Sequence, residues 1–168
     1  MVSKSPVGLL GMPEEHLLRI GVISDTHVET LGEIPHPILV ALAEVDLIIH
    51  AGDFTERAVL EGLRSLGEVK AVYGNMDSDE LRVMLPQKEL FIVSGKKIGL
   101  THGSGGRWGI ADRVKEMFSD VDIIIYGHSH VPSNHYIGRS LLFNPGRARD
   151  SFGLLTIDDE IKAEIISV

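Results

Sequence analysis

The sequence predicts an α/β fold in which two mixed β-sheets pack face to face and helices cover their outer surfaces. Between residues 20 and 126, short runs of Ile, Val and Leu alternate with segments of helical periodicity, a pattern typical of strands joined by crossover helices. After residue 138 three further apolar runs indicate strands, the last two forming an antiparallel hairpin. No linker rich in Pro, Gly or Ser interrupts the chain, so we expect one domain over residues 20–168 behind an N-terminal tail, residues 1–19.

Parallel strands are predicted where short runs are rich in Ile, Val and Leu, as in buried strands. These runs are Ile20–Ile23, Leu47–Ile49, Val69–Tyr73, Ile98–Leu100 and Ile123–Tyr126. Three later strands are predicted at Ser140–Phe143, Gly153–Ile157 and Ile161–Ile166, the last two forming a hairpin around Asp158-Asp159. A further hairpin joins Leu90–Val93 to Ile98–Leu100 through Gly95-Lys96-Lys97.

Helices are predicted where apolar residues recur at helical spacing between these strands. The segments are Pro37–Val45, Glu56–Leu66 and Arg107–Phe118. The single tryptophan, Trp108, opens the last of them. It fits a pocket lining or a hydrophobic staple of the helix, and we expect it to pack in the core.

The composition excludes several classes of protein. The chain has no cysteine, which removes disulfide scaffolds, thiolate zinc sites and cysteine nucleophiles, so a metal would need His, Asp, Glu or Asn. No apolar run approaches the ~20 residues of a membrane span, and we expect no membrane partner. The formal net charge of −8 argues against nucleic acid as a stable partner. We expect a cytoplasmic protein and leave a homo-oligomer open.

Polar residues follow the carboxyl ends of five predicted strands. The motifs are Asp25-Thr26-His27, Gly52-Asp53, Gly74-Asn75-Met76-Asp77, His102-Gly103 and Gly127-His128-Ser129-His130. Because ligands of open α/β sheets bind outside the carboxyl ends of the strands, we expect these groups to converge. Asp25 and His27, spaced by two in a segment interpreted as extended, would point to the same side. Each motif alone also fits a turn, and Asp53 fits a helix cap, but the coincidence of five favours a metal centre.

The candidate ligands are too many for one tetrahedral ion and suit two: Asp25, His27, Asp53, Asn75, His102, His128 and His130. Imidazole, carboxylate and amide oxygen together suit transition metals, and we expect Mn²⁺, with Ni²⁺, Zn²⁺, Fe²⁺ and Co²⁺ as alternatives. Two cations ~3.5–4 Å apart fit the hydrolysis of a small phosphate-ester substrate by a metal-bound hydroxide. Two divalent ions would outweigh the two aspartates, so an acidic chain can carry a cationic site.

Taken in order, and followed by Asn144-Pro145-Gly146, these motifs resemble those of the calcineurin-like metallophosphoesterases. The small single-domain bacterial and archaeal phosphodiesterases of that superfamily are the most similar group, and the resemblance runs from about Ile20 onward. It implies a four-layer α/β/β/α sandwich and a metal-dependent phosphodiesterase whose metal-bridging hydroxide attacks phosphorus in line. It also implies that Asp53 bridges two metals, one held by Asp25, His27 and His130 and the other by Asn75, His102 and His128.

The sequence departs from this family at Met76, where many members have a histidine that protonates the leaving group. Methionine cannot transfer a proton, so the general acid is expected to be Asp77 or a metal-bound water, with Asn75 helping to hold the phosphate. The small phosphodiesterases often lack a histidine at this position. The second departure is Arg147, where Ser is usual, and this arginine either faces an anionic substrate or lies solvated on the surface.

The alternative function is a non-catalytic, metal-binding scaffold for protein interaction, because a retromer subunit with this fold works in that way. Scaffolds can lose the histidines that bind metal, whereas this sequence keeps the whole set, which favours the enzyme. We expect His50 to pack behind the metal ligands and to orient them by a hydrogen bond at most.

Overall fold

The computed structural model describes residues 17–168, so most of the predicted N-terminal tail lies outside the described residues. Five strands form the first sheet: β1, Leu18–Ile23; β2, Leu47–His50; β3, Val69–Ala71; β9, Ser151–Ile157; and β10, Ile161–Ser167. Their order is β10-β9-β1-β2-β3. β1, β2 and β3 are parallel neighbours, and the predicted β9–β10 hairpin adds two antiparallel strands.

The second sheet also has five strands: β4, Lys88–Val93; β5, Lys96–Thr101; β6, Ile123–Ile125; β7, Ser133–Ile137; and β8, Ser140–Asn144. Their order is β4-β5-β6-β8-β7, with β5, β6 and β8 parallel. The turn between β4 and β5 is tighter than predicted: Ser94 and Gly95 alone form it, with φ of 47° and 76°. Two left-handed residues are what a type I′ hairpin requires.

Four α-helices and one short 3-10 helix, Leu31–Glu33, join the strands: α1, His36–Leu42; α2, Arg57–Leu66; α3, Asp79–Met84; and α4, Ile110–Glu116. Helix α3 was not predicted. It spans six residues and begins after Ser78, whose hydroxyl accepts the Leu81 N–H. Helix α4 begins at Ile110, three residues later than the predicted Arg107. Gly109 precedes the helix with φ of 76°, which ends the loop there.

The layers follow from the alternation of side chains along the strands. In β1, Ile20 and Val22 point into the core between the sheets, whereas Ile23 points outward to the helices. In β6, Ile123 and Ile125 point inward and Ile124 packs against α4. Helices α1, α2 and α3 cover the first sheet and α4 covers the second. The predicted four-layer α/β/β/α sandwich is confirmed.

This arrangement brings the carboxyl ends of six parallel strands, β1, β2, β3, β5, β6 and β8, to one edge of the sandwich. The polar motifs follow those ends, as expected. Within residues 17–168, no helix is both long and apolar enough to cross a membrane.

Candidate metal centre

The loops at this edge hold their polar residues in an unusual backbone conformation. Asp25, His27, Asp53, His128 and His130 all have positive φ, between 46° and 70°. Non-glycine residues rarely adopt this region, and such strain is concentrated at functional sites. The segment of Asp25 and His27 is therefore not extended, as the sequence analysis assumed. The two side chains converge because each residue turns the chain sharply.

The first group of ligands surrounds one oxygen of Asp25. Its Oδ1 lies 3.3 Å from His130 Nε2 and 3.8 Å from His27 Nε2. Its Oδ2 is anchored instead, because it accepts hydrogen bonds from the Ser24 hydroxyl at 2.6 Å and the His128 N–H at 3.2 Å. One oxygen is thus fixed by the fold while the other faces the imidazoles.

The second group surrounds the amide oxygen of Asn75. Oδ1 of Asn75 lies 3.1 Å from His102 Nε2 and 3.2 Å from His128 Nδ1, and the two ring nitrogens are 3.3 Å apart. Three strand ends, those of β3, β5 and β6, deliver these side chains. Their close approach is the arrangement predicted for the second metal.

Asp53 lies between the two groups. Its Oδ2 is 3.2 Å from His102 Nε2 and 3.6 Å from His27 Nε2, so one carboxylate oxygen faces both sets of ligands. Its Oδ1 accepts the Met76 N–H at 2.8 Å. This is the position that a bridging ligand would occupy.

The backbone determines which ring nitrogens can bind a metal. Nδ1 of His102 lies 2.7 Å from the Ala51 carbonyl oxygen, and Nε2 of His128 lies 2.8 Å from that of Gly105. A carbonyl only accepts, so each of these nitrogens carries a proton and donates it. In the neutral rings, the lone pairs then sit on His102 Nε2 and His128 Nδ1, the two atoms that face Asn75. Carbonyl partners of this kind fix the orientation of histidines that bind metals.

The donor set fits a cation. Lone pairs of two imidazoles, an amide oxygen and a carboxylate point at one another, an arrangement that repels unless a positive charge lies among them. Among residues 17–168, Asp25 Oδ1 is the buried side-chain atom that lacks a hydrogen-bond partner. A buried carboxylate oxygen without a donor is costly, and a metal ion would satisfy it. The residues present therefore suit a divalent cation at each group.

Protons compete with cations for these groups. Burial would raise the pKa of Asp25 and of Asp53, but the neighbouring imidazoles, with the Ser24 hydroxyl at Asp25 and the Met76 N–H at Asp53, hold both pKa values below the usual one. The pKa of His27 is raised, chiefly by its contact with Asp25. Burial opposes protonation of His102, yet Asp53 and Asp25 raise its pKa overall. Because a metal needs the neutral imidazole, its affinity should fall as the pH falls.

Asp77 supports the site from behind. Its Oδ2 accepts the N–H groups of Asp53 at 2.9 Å and Gly74 at 2.7 Å, and its Oδ1 accepts that of Thr55 at 2.8 Å. Asp77 is buried, with 5% of its surface exposed. The role of proton donor stays a prediction, and this geometry favours a residue that positions the Asp53 and Asn75 loops.

Close packing explains two glycines of the motifs. A Cβ at Gly74 would collide with the Asp53 side chain, and one at Gly127 would collide with Ser24 Oγ. Both positions therefore need glycine so that neighbouring loops can approach. Asn144 completes the support of the Gly127 loop by donating to the Gly127 carbonyl at 3.1 Å and to Ser129 Oγ at 3.0 Å.

The family model described as calcineurin-like phosphoesterase superfamily domain matches residues 18–159. The chain belongs to this superfamily. The predicted family is thereby confirmed. A probable metallophosphoesterase of Methanocaldococcus jannaschii is 37% identical over 161 residues, covering 89% of this chain and 81% of the relative.

Two further comparisons bear on the calcineurin-like phosphoesterase chain. A phosphodiesterase of M. jannaschii is 30% identical over 145 residues, covering 77% of this chain and 83% of the relative. The crystal structure of wild-type Vps29 complexed with Zn²⁺, from Entamoeba histolytica, aligns with a TM-score of 0.67 and 27% identity. That alignment covers 89% of this chain and 99% of Vps29.

His50 packs behind the site as predicted, but it makes two hydrogen bonds there where at most one was expected. Its ring is fully buried and stacks on Phe54 at 3.5 Å between centroids. Nδ1 accepts the Gly52 N–H at 3.0 Å, so Nε2 carries the proton and donates it to Thr26 Oγ1 at 3.1 Å. Burial lowers the pKa of His50 to about 3, so the ring stays neutral and ties the Asp25 loop to the Asp53 loop.

We expect His50→Phe to weaken metal binding by roughly 10- to 100-fold, as loss of outer hydrogen bonds does at other metal sites. Phenylalanine keeps the stack on Phe54 but removes both hydrogen bonds. Competition with a chelator measures the affinity, and His36→Phe, an exchange at an exposed histidine, is the matched control. Equal affinities for the wild type and His50→Phe would show that His50 only fills space.

Trp108 and Arg147 both lie on the surface. The prediction that Trp108 packs in the core is wrong, because its surface is 81% exposed and the helix begins after it. Arg147 contacts Asp150 through Nε at 2.9 Å, which favours the surface alternative over a contact with substrate. Ser24 was missed, although it precedes Asp25 directly. The Gly105 carbonyl was also missed, and no side-chain signal could reveal a backbone acceptor.

Proposed function

We propose that this chain is a divalent-metal-dependent phosphodiesterase with a two-metal centre. Its seven ligands would be Asp25, His27, Asp53, Asn75, His102, His128 and His130. The observation that carries the proposal is the convergence of lone pairs around the two aspartates, with Asp25 Oδ1 buried and without a donor. The relative named as a phosphodiesterase supports diesters as the substrate class.

Divalent cations bound at such a site lower the pKa of water and neutralise charge that develops on phosphate. The chain's own residues do the rest. Asn75 and the imidazoles at the exposed rim would orient a phosphate group, while the buried Asp25 and Asp53 keep the ligands in place. Mn²⁺ is the ion that we favour, with Ni²⁺, Zn²⁺, Fe²⁺ and Co²⁺ as alternatives. A small phosphate ester as substrate and a cytoplasmic location also stay predictions.

The direct test combines metal content with turnover. Elemental analysis should find two divalent ions per chain, and the loaded protein should hydrolyse bis(p-nitrophenyl) phosphate faster than p-nitrophenyl phosphate. A chelator should abolish both activities and added Mn²⁺ should restore them. Fully loaded protein that turns over neither ester would overturn the proposal.

Met76 gives a sharper prediction about the leaving group. Its side chain is 59% exposed at the rim and its N–H binds Asp53, so it stands beside the centre without a proton to give. We expect a steep fall in rate as the leaving group becomes more basic, and Met76→His should raise the rates of alkyl esters more than those of aryl esters. Rates for a series of esters measure this, with Met76→Leu as the control.

An unchanged dependence on the leaving group in Met76→His would contradict this explanation. Comparing the leaving-group dependence of Met76→His and Met76→Leu separates proton donation from a general effect on the site, because leucine changes the side chain without adding a proton donor.

The second candidate is a metal-binding scaffold for protein interaction. The structural similarity to Zn²⁺-bound Vps29 favours it, since that chain pairs this fold with a bound metal. A scaffold would bind metal without turnover, so the assays above distinguish the two functions. A homo-oligomer is left open.

A further inference from the structure

A groove of about 580 Å³ opens beside the metal centre. One wall is the loop before α4, with Arg107 and Trp108, and the other is the segment from Ser129 to Ile137. Tyr126 lies in the floor, where its surface is only 2% exposed. The lining is mainly apolar, in contrast to the polar centre next to it.

The groove and the proposed metal ligands share two loops. Ser129, which lines it, stands between His128 and His130 in the chain. His128 Nε2 binds the carbonyl of Gly105, in the same loop that carries Trp108. These shared loops place the groove next to the proposed ligands.

The loop with Trp108 is fixed rather than free. The guanidinium of Arg113 donates to the Ser104 carbonyl at 2.8 Å, to the Trp108 carbonyl at 2.9 Å and to the Gly106 carbonyl. Arg107 stacks its guanidinium 5.1 Å from the indole centroid. The indole is 81% exposed on this braced loop and lines the groove, so its face is open to a ligand.

Several groups of the lining are planar or rigid: Trp108, Tyr126, His135 and Pro132. Aromatic side chains favour planar partners through stacking and edge contacts. A volume of this size accommodates one or two rings. These features favour an aromatic group over a flexible alkyl chain.

We propose that this groove binds a planar aromatic group attached directly to the phosphoester oxygen, which makes aryl phosphoesters the substrate class. The inference rests on the proposed function, because it places the phosphate at the metal centre. Trp108 is the binding platform, and its aromatic ring is a specificity-determining group.

The test compares two non-hydrolysable ligands with the same head group. Benzylphosphonate replaces the ester oxygen of phenyl phosphate with CH₂, and methylphosphonate lacks the ring. Calorimetric titration of Mn²⁺-loaded protein should show benzylphosphonate binding about tenfold more tightly than methylphosphonate. Because Trp108 is the only tryptophan, its emission should also change with the benzyl ligand alone.

Trp108→Ala should remove most of the tenfold difference and leave the affinity for methylphosphonate unchanged, which also shows that the variant is folded. Trp108→Phe should keep most of it. The control is Val83→Ala, at a valine that is 88% exposed on α3 and distant from the lining. Equal affinities for the two ligands, no binding of either, or the same result for Trp108→Ala and Val83→Ala would overturn the proposal.

Turnover of the diester bis(p-nitrophenyl) phosphate on the same samples separates the two claims. A tenfold preference for benzylphosphonate without turnover would exclude the proposed phosphodiesterase activity but support aromatic binding in the groove. Turnover with equal affinities for the two phosphonates would support the proposed activity but exclude aromatic binding in the groove.

Discussion

Asp53→Asn should remove almost all phosphodiesterase activity and at least one bound metal. Its Oδ2 faces His102 at 3.2 Å and His27 at 3.6 Å, so it lies closer to both groups than Asp25 Oδ1, which is 3.8 Å from each of these nitrogens. Asparagine keeps the shape but replaces an anionic oxygen with a neutral amide. Mutating groups that only hydrogen-bond the metal ligands lowers metal affinity or activity about 10- to 100-fold, so losing a bridging anion should lower activity more than 100-fold.

Elemental analysis and steady-state rates measure this effect. Asp159→Asn makes the same change at an exposed turn between β9 and β10 and should leave both quantities at the wild-type value. Full activity of Asp53→Asn with normal metal content would mean that the chemistry does not pass through this centre.

Asp77→Ala should lower the free energy of unfolding by about 3 kcal/mol or more, because three backbone N–H groups lose their acceptor. Each unsatisfied buried donor costs about 1–3 kcal/mol, and total stabilities are only about 5–15 kcal/mol. Urea unfolding of the metal-free protein measures the change. Asp79→Ala, at an exposed position two residues further on, should cost much less.

A second variant, Asp77→Asn, distinguishes a positioning role of Asp77 from proton donation. If Asp77 only positions the loops, Asp77→Asn should slow all esters by the same factor, because the loss does not depend on the leaving group. If it donates the proton, the loss should grow with the basicity of the leaving group. The three backbone hydrogen bonds lead us to expect the uniform loss.

Much of the fold could be predicted because its strands are short, β-branched and spaced by clear helical segments. Runs such as Ile123-Ile124-Ile125 leave little doubt about a buried strand. Helix α3 was missed because six residues hold less than two turns of periodicity, and β7 because Ser133–Ile137 carries mostly polar, exposed side chains. Elements that bury little apolar surface give a weak pattern.

The candidate ligands could be named because they follow strand ends, which meet in space whatever the loops do. The sequence could not predict how the loops turn, since left-handed φ at Asp25 or His128 depends on tertiary contacts. Nor could it reveal that backbone carbonyls of Ala51 and Gly105 orient two imidazoles. The prediction for Trp108 was wrong for a related reason. Hydrophobicity indicates that a side chain favours burial, but not whether the protein's own core or a ligand would bury it.

We expect the two groups of side chains to hold two cations. Crystals grown with Mn²⁺ and measured at its absorption edge test this directly. Two anomalous peaks about 3.5–4 Å apart are expected. One should lie among Asp25, His27 and His130, the other among Asn75, His102 and His128, with Asp53 contacting both. A single peak, or peaks away from these residues at saturating Mn²⁺, would contradict it.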